Sequence, residues 1–254
     1  MVRLMDRWGA GSYEDTAAEL EPMAEVAVAG LGLSGGERVL DVACGTGNAA
    51  RVAMAAGARV TGIDTSERLV EVARERLPEG EFVLGDATEM PFADGEFDAA
   101  VSVVGVIFAT PAERAAAEVA RIVRPGGRVA ITSWLPRGPT YDVIVLMREA
   151  VARVRALEDP APDHWSDRAA VERTLGPYGT LTVTEHALPR PRRSPEERWE
   201  RRERNHPMWI AARSVLEPAD EWEALRASSI AAMRDGEGLE GEPSYMLTVL
   251  ERAP

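Results

Sequence analysis

Three aspartates and two glycines carry most of the chemistry legible in this chain. In Val39-Leu40-Asp41-Val42-Ala43-Cys44-Gly45-Thr46-Gly47-Asn48, an apolar run reaches an acidic residue, then a turn of small residues, then a helical pattern. Gly45 and Gly47 have no Cβ, so a ligand can lie directly against backbone there. Glycine-rich strand-to-helix turns most often hold nucleotides. Asp64 ends a second apolar run and Asp86 follows a third. A carboxylate placed as Asp64 is can accept hydrogen bonds from ribose hydroxyls. Histidine titrates in the range useful for acid–base work and occurs three times, as His164, His186 and His206. Cysteine occurs once, at Cys44, and lysine is absent. That excludes a Schiff-base lysine and a phosphate-loop lysine.

These residues need a scaffold that gathers strand ends. Residues 36–134 alternate strand and helix patterns with short connections, the signature of a parallel sheet covered on both faces. The strands read as 38–43, 59–64, 82–85, 97–103 and 128–134. Helices read as 49–56, 67–77 with Ser66 at its cap, and 112–123 with Pro111 at its start. Arg124-Pro125-Gly126-Gly127 reads as a turn. Beyond it, 141–157 is helical in pattern, while 180–186 and 244–250 are strand-like. The stretch 194–233 is helical and too long for a simple connection, so it is expected to cap one end of the sheet. Residues 13–31 are roughly amphipathic, and 159–163 read as an exposed loop. The fold class is therefore α/β, a Rossmann-like, doubly wound, mostly parallel seven-stranded sheet. One domain is expected over residues 1–254, with an N-terminal helical lid (1–35), a cofactor-binding core (36–135) and a helical cap and acceptor region (187–243) before the last strand.

In open parallel sheets, ligands bind beyond the carboxyl ends of the strands, where strand order reverses. Asp64 alone does not tell NAD from an adenosyl cofactor. Asp41 does, because a pyrophosphate would sit close to its carboxylate in an already acidic chain. Ala50 also stands where a dinucleotide fingerprint wants a third glycine, an allowed variant and so a weaker sign. S-adenosylmethionine carries a sulfonium and an ammonium instead of phosphates, and a carboxylate beside those charges is favourable.

The segments 39–47, 62–66, 85–91, 97–108 and 123–133 together resemble the class I S-adenosylmethionine-dependent methyltransferases. The likeness is to the branch with the ubiquinone and menaquinone C-methyltransferases and many bacterial natural-product enzymes. It covers about residues 8–135 well and the remainder only in architecture. The resemblance implies S-adenosyl-L-methionine as cofactor and S-adenosyl-L-homocysteine as product. It implies backbone contact from Gly45 and Gly47 to the methionine part, and Asp41 acting through the ammonium group, directly or through water. Asp64 would take the ribose hydroxyls, with Thr65 packed near the adenine. Asp86 would accept from the adenine amino group beside Ala87, and Val103 would lie under the sulfonium. Tyr13 matches the aromatic residue that closes over the cofactor, and Ala43 stands in the cofactor turn where the family often has glycine.

Methyl transfer is an in-line displacement, and positioning alone can supply roughly 7–11 kcal/mol of it. A base adds about 10²–10⁴-fold where the acceptor arrives protonated. His206, at the start of a cap helix, is the candidate base, with a helix-start residue making a local hydrogen bond as the competing reading. His186 reads as structural, and His164 could line the mouth. Trp8, Phe108, Trp134, Met208 and Trp209 are expected to form a flat apolar acceptor pocket; Trp199 and Trp222 are expected to anchor cap helices. Asn205-His206-Pro207-Met208 superficially resembles the Asn-Pro-Pro-Tyr signature of adenine-N6 and glutamine methyltransferases. That motif follows the fourth strand, where this chain has Val104-Gly105-Val106-Ile107-Phe108, so the match fails. Cys44 reads as a packing residue. Residues 190–204 carry seven arginines and four glutamates. They read as a solvated helix laced by i,i+4 pairs, with docking of an anionic acceptor group on Arg201 or Arg202 as a minor alternative.

The chain has 254 residues, 45% hydrophobic and 28% charged, with a formal net charge of −13. That balance argues against sequence-independent nucleic-acid binding. No signal-peptide core or membrane-length apolar run is visible, and one cysteine fits a reducing compartment. We therefore expect a cytoplasmic monomer or homodimer with no nucleic-acid or membrane partner and no metal. The expected activity is methyl transfer to an O, N or C atom of a small, aromatic or apolar metabolite in secondary metabolism. The alternatives are a methyltransferase-fold cyclase, or a cofactor-binding protein without methyl transfer. An NAD-dependent oxidoreductase is opposed by Asp41 and by the absence of any Tyr-x-x-x-Lys.

Overall fold

The computed structural model describes residues 8–156, 165–189, 191–235 and 243–254. Its strands are β1 (Arg38–Val42), β2 (Arg59–Asp64), β3 (Glu81–Leu84), β4 (Phe97–Val103), β5 (Val123–Trp134), β6 (Gly179–Ala187) and β7 (Ser244–Arg252). They form one seven-stranded sheet in the order β3-β2-β1-β4-β5-β7-β6. The first five are parallel, and β7 runs antiparallel between β5 and β6. The helices are α1 (Tyr13–Glu19), α2 (Glu21–Leu31), α3 (Asn48–Ala55), α4 (Glu67–Arg76), α5 (Ala112–Ile122), α6 (Pro139–Arg155), α7 (Arg168–Leu175), α8 (Pro195–Asn205), α9 (Pro207–Leu216) and α10 (Trp222–Asp235). Among the described residues no helix is long and apolar enough to cross a membrane.

β1 is buried on both faces, so its side chains divide between two cores. Leu40 and Val42 join α5 and α7 on one face. Val39 packs with α2, α3 and α4 on the other. Alanines line the helix surfaces there (Ala24 and Ala27, Ala49 and Ala50, Ala73), which lets the helices sit close on the sheet. Ser66 caps α4, accepting from the Leu69 N–H.

Three boundaries differ from the sequence reading. α2 does not belong to the lid: Met23, Ala24, Ala27 and Leu31 are fully buried against the body, which leaves Trp8–Leu20 as the covering segment. The expected turn at 124–127 is an irregularity within β5, whose pairing with β4 jumps from Phe97↔Val123 to Ala99↔Arg128. The cap also recruits α6, which lies before β6 in sequence. Val143 and Met147 pack there with Trp199, Trp209, Leu216 and Trp222 in a core separate from those of the sheet. The loop expected at 159–163, and His164, lie outside the described residues.

Candidate functional site

Strand order reverses between β1 and β4, and the connections leaving these two strands form the floor of the site. Ala43 and Val104 both take the left-handed conformation, at φ 55° and 50°. For an L-residue, above all a β-branched one, that is strained. Gly45 is left-handed too, and a Cβ there would meet the Tyr13 ring at 3.3 Å. Tyr13 thus lies over the turn where backbone is barest.

Asp64 is held from two sides: Oδ2 accepts the Gly45 N–H at 2.9 Å and Oδ1 the Ser66 N–H at 2.8 Å. Burial raises its pKa against the lowering effect of those bonds. Asp41 accepts the Ala50 N–H at 2.8 Å, in the first turn of α3. It therefore satisfies one of the amide donors that a helix start leaves unpaired. Burial, with a further push from Asp64, raises its pKa to about 7, although the Ala50 bond opposes this. Asp86 holds Thr88 through both backbone N–H and hydroxyl, at 2.7 and 2.8 Å. The Tyr13 phenol is pushed up by burial and by Asp64 and Asp41, so it stays neutral. Cys44 is buried and its thiol is likewise pushed up, chiefly by burial. That suits a packing residue and not a nucleophile.

Above this floor lies a cavity of about 1010 Å³. The lid closes one side, with Trp8 4.8 Å from Phe108, 5.9 Å from Tyr13 and 6.1 Å from His206 between ring centroids. α1 is fastened to both neighbours. Glu14 takes Arg68 of α4 through both carboxylate oxygens. Asp15 accepts from Asn205 at 2.6 Å, and Glu19 from Arg193 at 2.7 Å. Gly11, at φ 70°, has no room for a Cβ, which would meet Ile210 at 2.5 Å and the Asn205 carbonyl at 2.7 Å.

The structure brings most of the sequence-predicted residues to this one cavity. Ala43, Gly45, Asp64, Thr65, Asp86, Ala87 and Val103 line its floor, and Trp8, Tyr13, Phe108, Trp134, His206, Met208 and Trp209 its upper part. Asp41 and Gly47 lie beneath the turn and not on the wall. Gly47 is the left-handed N-cap of α3. Trp209 is 3% exposed and stacks edge-on against Trp199, so most of it belongs to the cap core. Trp199 and Trp222 are the anchors expected, 5.3 Å apart. His186 stacks on Tyr245 and bonds Thr184, away from the cavity.

His206 is the N-cap of α9, its Nδ1 accepting the Met208 N–H at 3.2 Å. A neutral ring held this way carries its proton on Nε2. Such a ring accepts a further proton only by giving up the cap. This is the helix-start role that the sequence reading set beside the general base.

One further contributor was not read from sequence: α6 lines the cavity through Tyr141, Ile144, Arg148 and Val151, a helical stripe visible in the spacing. Arg201 and Arg202, the minor alternative of the sequence reading, line it too, together with Arg193 and Arg198, so the arginine-rich stretch is not simply a solvated face.

A family model described as "Methyltransferase domain" matches residues 40–131. Two uncharacterised proteins of Mycobacterium tuberculosis are similar to the chain. One is 40% identical over 136 residues, 52% of this chain and 50% of the relative. The other is 34% identical over 186 residues, 71% of this chain and 68% of the relative. Methyltransferase GfsG of Streptomyces halstedii is 38% identical over 162 residues, 59% of this chain and 58% of that protein. The chain thus spans from half to about two thirds of the length of these relatives. Among solved structures, the (4+2)-cyclase SpnF is similar in fold, with a TM-score of 0.56 at 22% identity, covering 98% of this chain and 86% of that one.

Proposed function

The chain belongs to the class I S-adenosylmethionine-dependent methyltransferases, and from that premise we propose that it moves a methyl group from S-adenosylmethionine to an oxygen, nitrogen or carbon atom of a small aromatic or apolar metabolite, in secondary metabolism. One observation carries this reading: carboxylates Asp64 and Asp86 face the cavity at the strand ends, and no arginine joins them from the β1–β4 ends. Such a floor suits a cationic cofactor and is hostile to a pyrophosphate.

When bound, the cofactor supplies an electrophilic methyl on a sulfonium. Asp64 would hold the ribose hydroxyls, its carboxylate already oriented by the Gly45 and Ser66 amides. Asp86 and Ala87 would meet the adenine. Gly45 would offer bare backbone to the methionine part, with Tyr13 closing over it and Val103 beneath. Asp41 would act through its charge from below the turn. Trp8, Phe108, Trp134 and Met208 would hold the acceptor in line and exclude water. Alignment at about 3 Å can contribute roughly 7–11 kcal/mol without a base.

The test is a thermal-shift comparison followed by a mass screen. S-adenosylmethionine or S-adenosylhomocysteine should raise the melting temperature and NADH should not. Incubation with aromatic, amino-acid and polyketide acceptors should give a product heavier by one CH₂. Donor binding with no methylated product across the panel would favour the cyclase or binding-only role. No donor binding would sink the proposal outright.

A further inference from the structure

The cavity's guanidinium groups all come from α6, α8 and the segment before α8, whereas its carboxylates come from the floor (Asp64 and Asp86), from α1 (Asp15 and Glu19) and from the start of α5 (Glu113). In a chain with a net charge of −13, gathering arginines on the wall of a largely apolar cavity needs a reason. Half-buried guanidiniums lose hydration that only an anionic partner restores fully. For Arg193, Arg198 and Arg201 the described residues provide one carboxylate. Arg193 and Arg201 share one carboxylate, Glu19, at 2.7 and 3.6 Å. Arg198 has no side-chain partner among the described residues, although it is half-buried and lines the cavity. Arg198 and Arg201 are three residues apart on α8, so they share a face. Arg204, on the same helix, is exposed and off the cavity wall.

We infer that the methyl acceptor carries an anionic oxygen group, a carboxylate or a phosphate, which docks on Arg198 and Arg201 while its apolar body lies against Trp8 and Phe108. Planar guanidiniums match both groups through paired N–H donors. The floor carboxylates orient the acceptor. Its anion is repelled by Asp64 and Asp86, so the opposite end of the molecule faces the methyl donor. The inference rests on the methyl-transfer reading above, of which it specifies the substrate class.

The test uses the full chain and calorimetric titration with benzoate and phenyl phosphate, against the neutral isosteres benzamide and phenyl methanesulfonate. Each is titrated with and without saturating S-adenosylhomocysteine. At least one anion should bind about tenfold or more tighter than its neutral counterpart, and which anion wins decides between carboxylate and phosphate. R198Q and R201Q should each remove most of that preference while leaving S-adenosylhomocysteine affinity within about twofold, and R198K should retain part of it. R204Q should change nothing, which excludes a general surface-charge effect. Equal binding of anions and isosteres, or an unchanged preference in both R198Q and R201Q, overturns the inference. Failure of S-adenosylhomocysteine to bind would instead strike the methyl-transfer reading, and the titrations without it would still decide the anion question.

Discussion

Buried carboxylates make the donor end of the cavity sensitive to pH. Unfolded, Asp41 titrates near its ordinary value of 3.8; in the folded protein burial moves it up to about 7. A raised folded pKa means that its stabilising contribution is complete below the unfolded value and is lost as pH rises through about 7. Asp64 is shifted in the same direction. The free protein should therefore lose melting temperature as pH rises from about 4 to about 7. Asp41→Asn should raise it at pH 8 by about 2–8 °C, raise it less at pH 5, and leave it nearly unchanged only below the unfolded value of 3.8. A cationic donor favours the ionised carboxylate, so donor affinity should rise over the same interval with proton release, and Asp41→Asn should flatten that slope. Calorimetry in two buffers of different ionisation enthalpy reads both effects; a slope that survives in Asp41→Asn assigns the proton elsewhere. His206 is decided by a different measurement. As a helix cap, its loss in His206→Ala should cost about 0.5–2 kcal/mol of stability and leave kcat within tenfold. His206→Asn, which can still cap α9, should recover the stability. A fall in kcat of about 10²–10⁴-fold would restore the base role.

At the scale of elements, the position of α1 is set by charged contacts more than by apolar packing. Ala17 is its single buried residue, while Glu14, Asp15 and Glu19 tie it to α4, α8 and the segment before α8. Partly exposed pairs of this kind contribute up to about 1 kcal/mol each. Arg68→Gln should therefore change the melting temperature little. It should instead release Tyr13 and Trp8 from over the Gly45 turn, speeding dissociation of S-adenosylhomocysteine several-fold in stopped-flow tryptophan fluorescence. An unchanged off-rate would mean that the aromatic contacts among Trp8, Tyr13, Phe108 and His206 hold the lid without the ion pair. α8 shows how an element can serve two purposes. Its capping box at Ser194 and Glu197 fixes the start, Trp199 fills the cap core, and Arg198 and Arg201 turn toward the cavity.

At the scale of the whole molecule, two cores pack against the sheet and a third belongs to the cap. The donor floor is built on the first two, and the acceptor wall on the third. Trp199→Ala should thus cost about 3–5 kcal/mol within the cap, abolish methyl transfer, and leave S-adenosylhomocysteine affinity within a few-fold by titration. Equal loss of both would show that cap and sheet fold as one cooperative unit. This division also accounts for what could be read in advance. From the apolar run into Asp41, the Gly45–Gly47 turn, and Asp64 and Asp86 at later strand ends, the sequence by itself determined the α/β sheet and the donor floor. Those features are local: strand periodicity, turn chemistry and the residue that ends each strand lie within about ten positions of one another. Only the tertiary structure decided that Asp41 faces the start of α3, that α2 covers the sheet, that His206 caps α9, and that α6 joins α8–α10 across β6. It also decided that Arg198 and Arg201 look inward where i,i+4 spacing suggested a solvated helix. Which face of a helix is wet depends on what packs against it, and those partners lie far away in sequence.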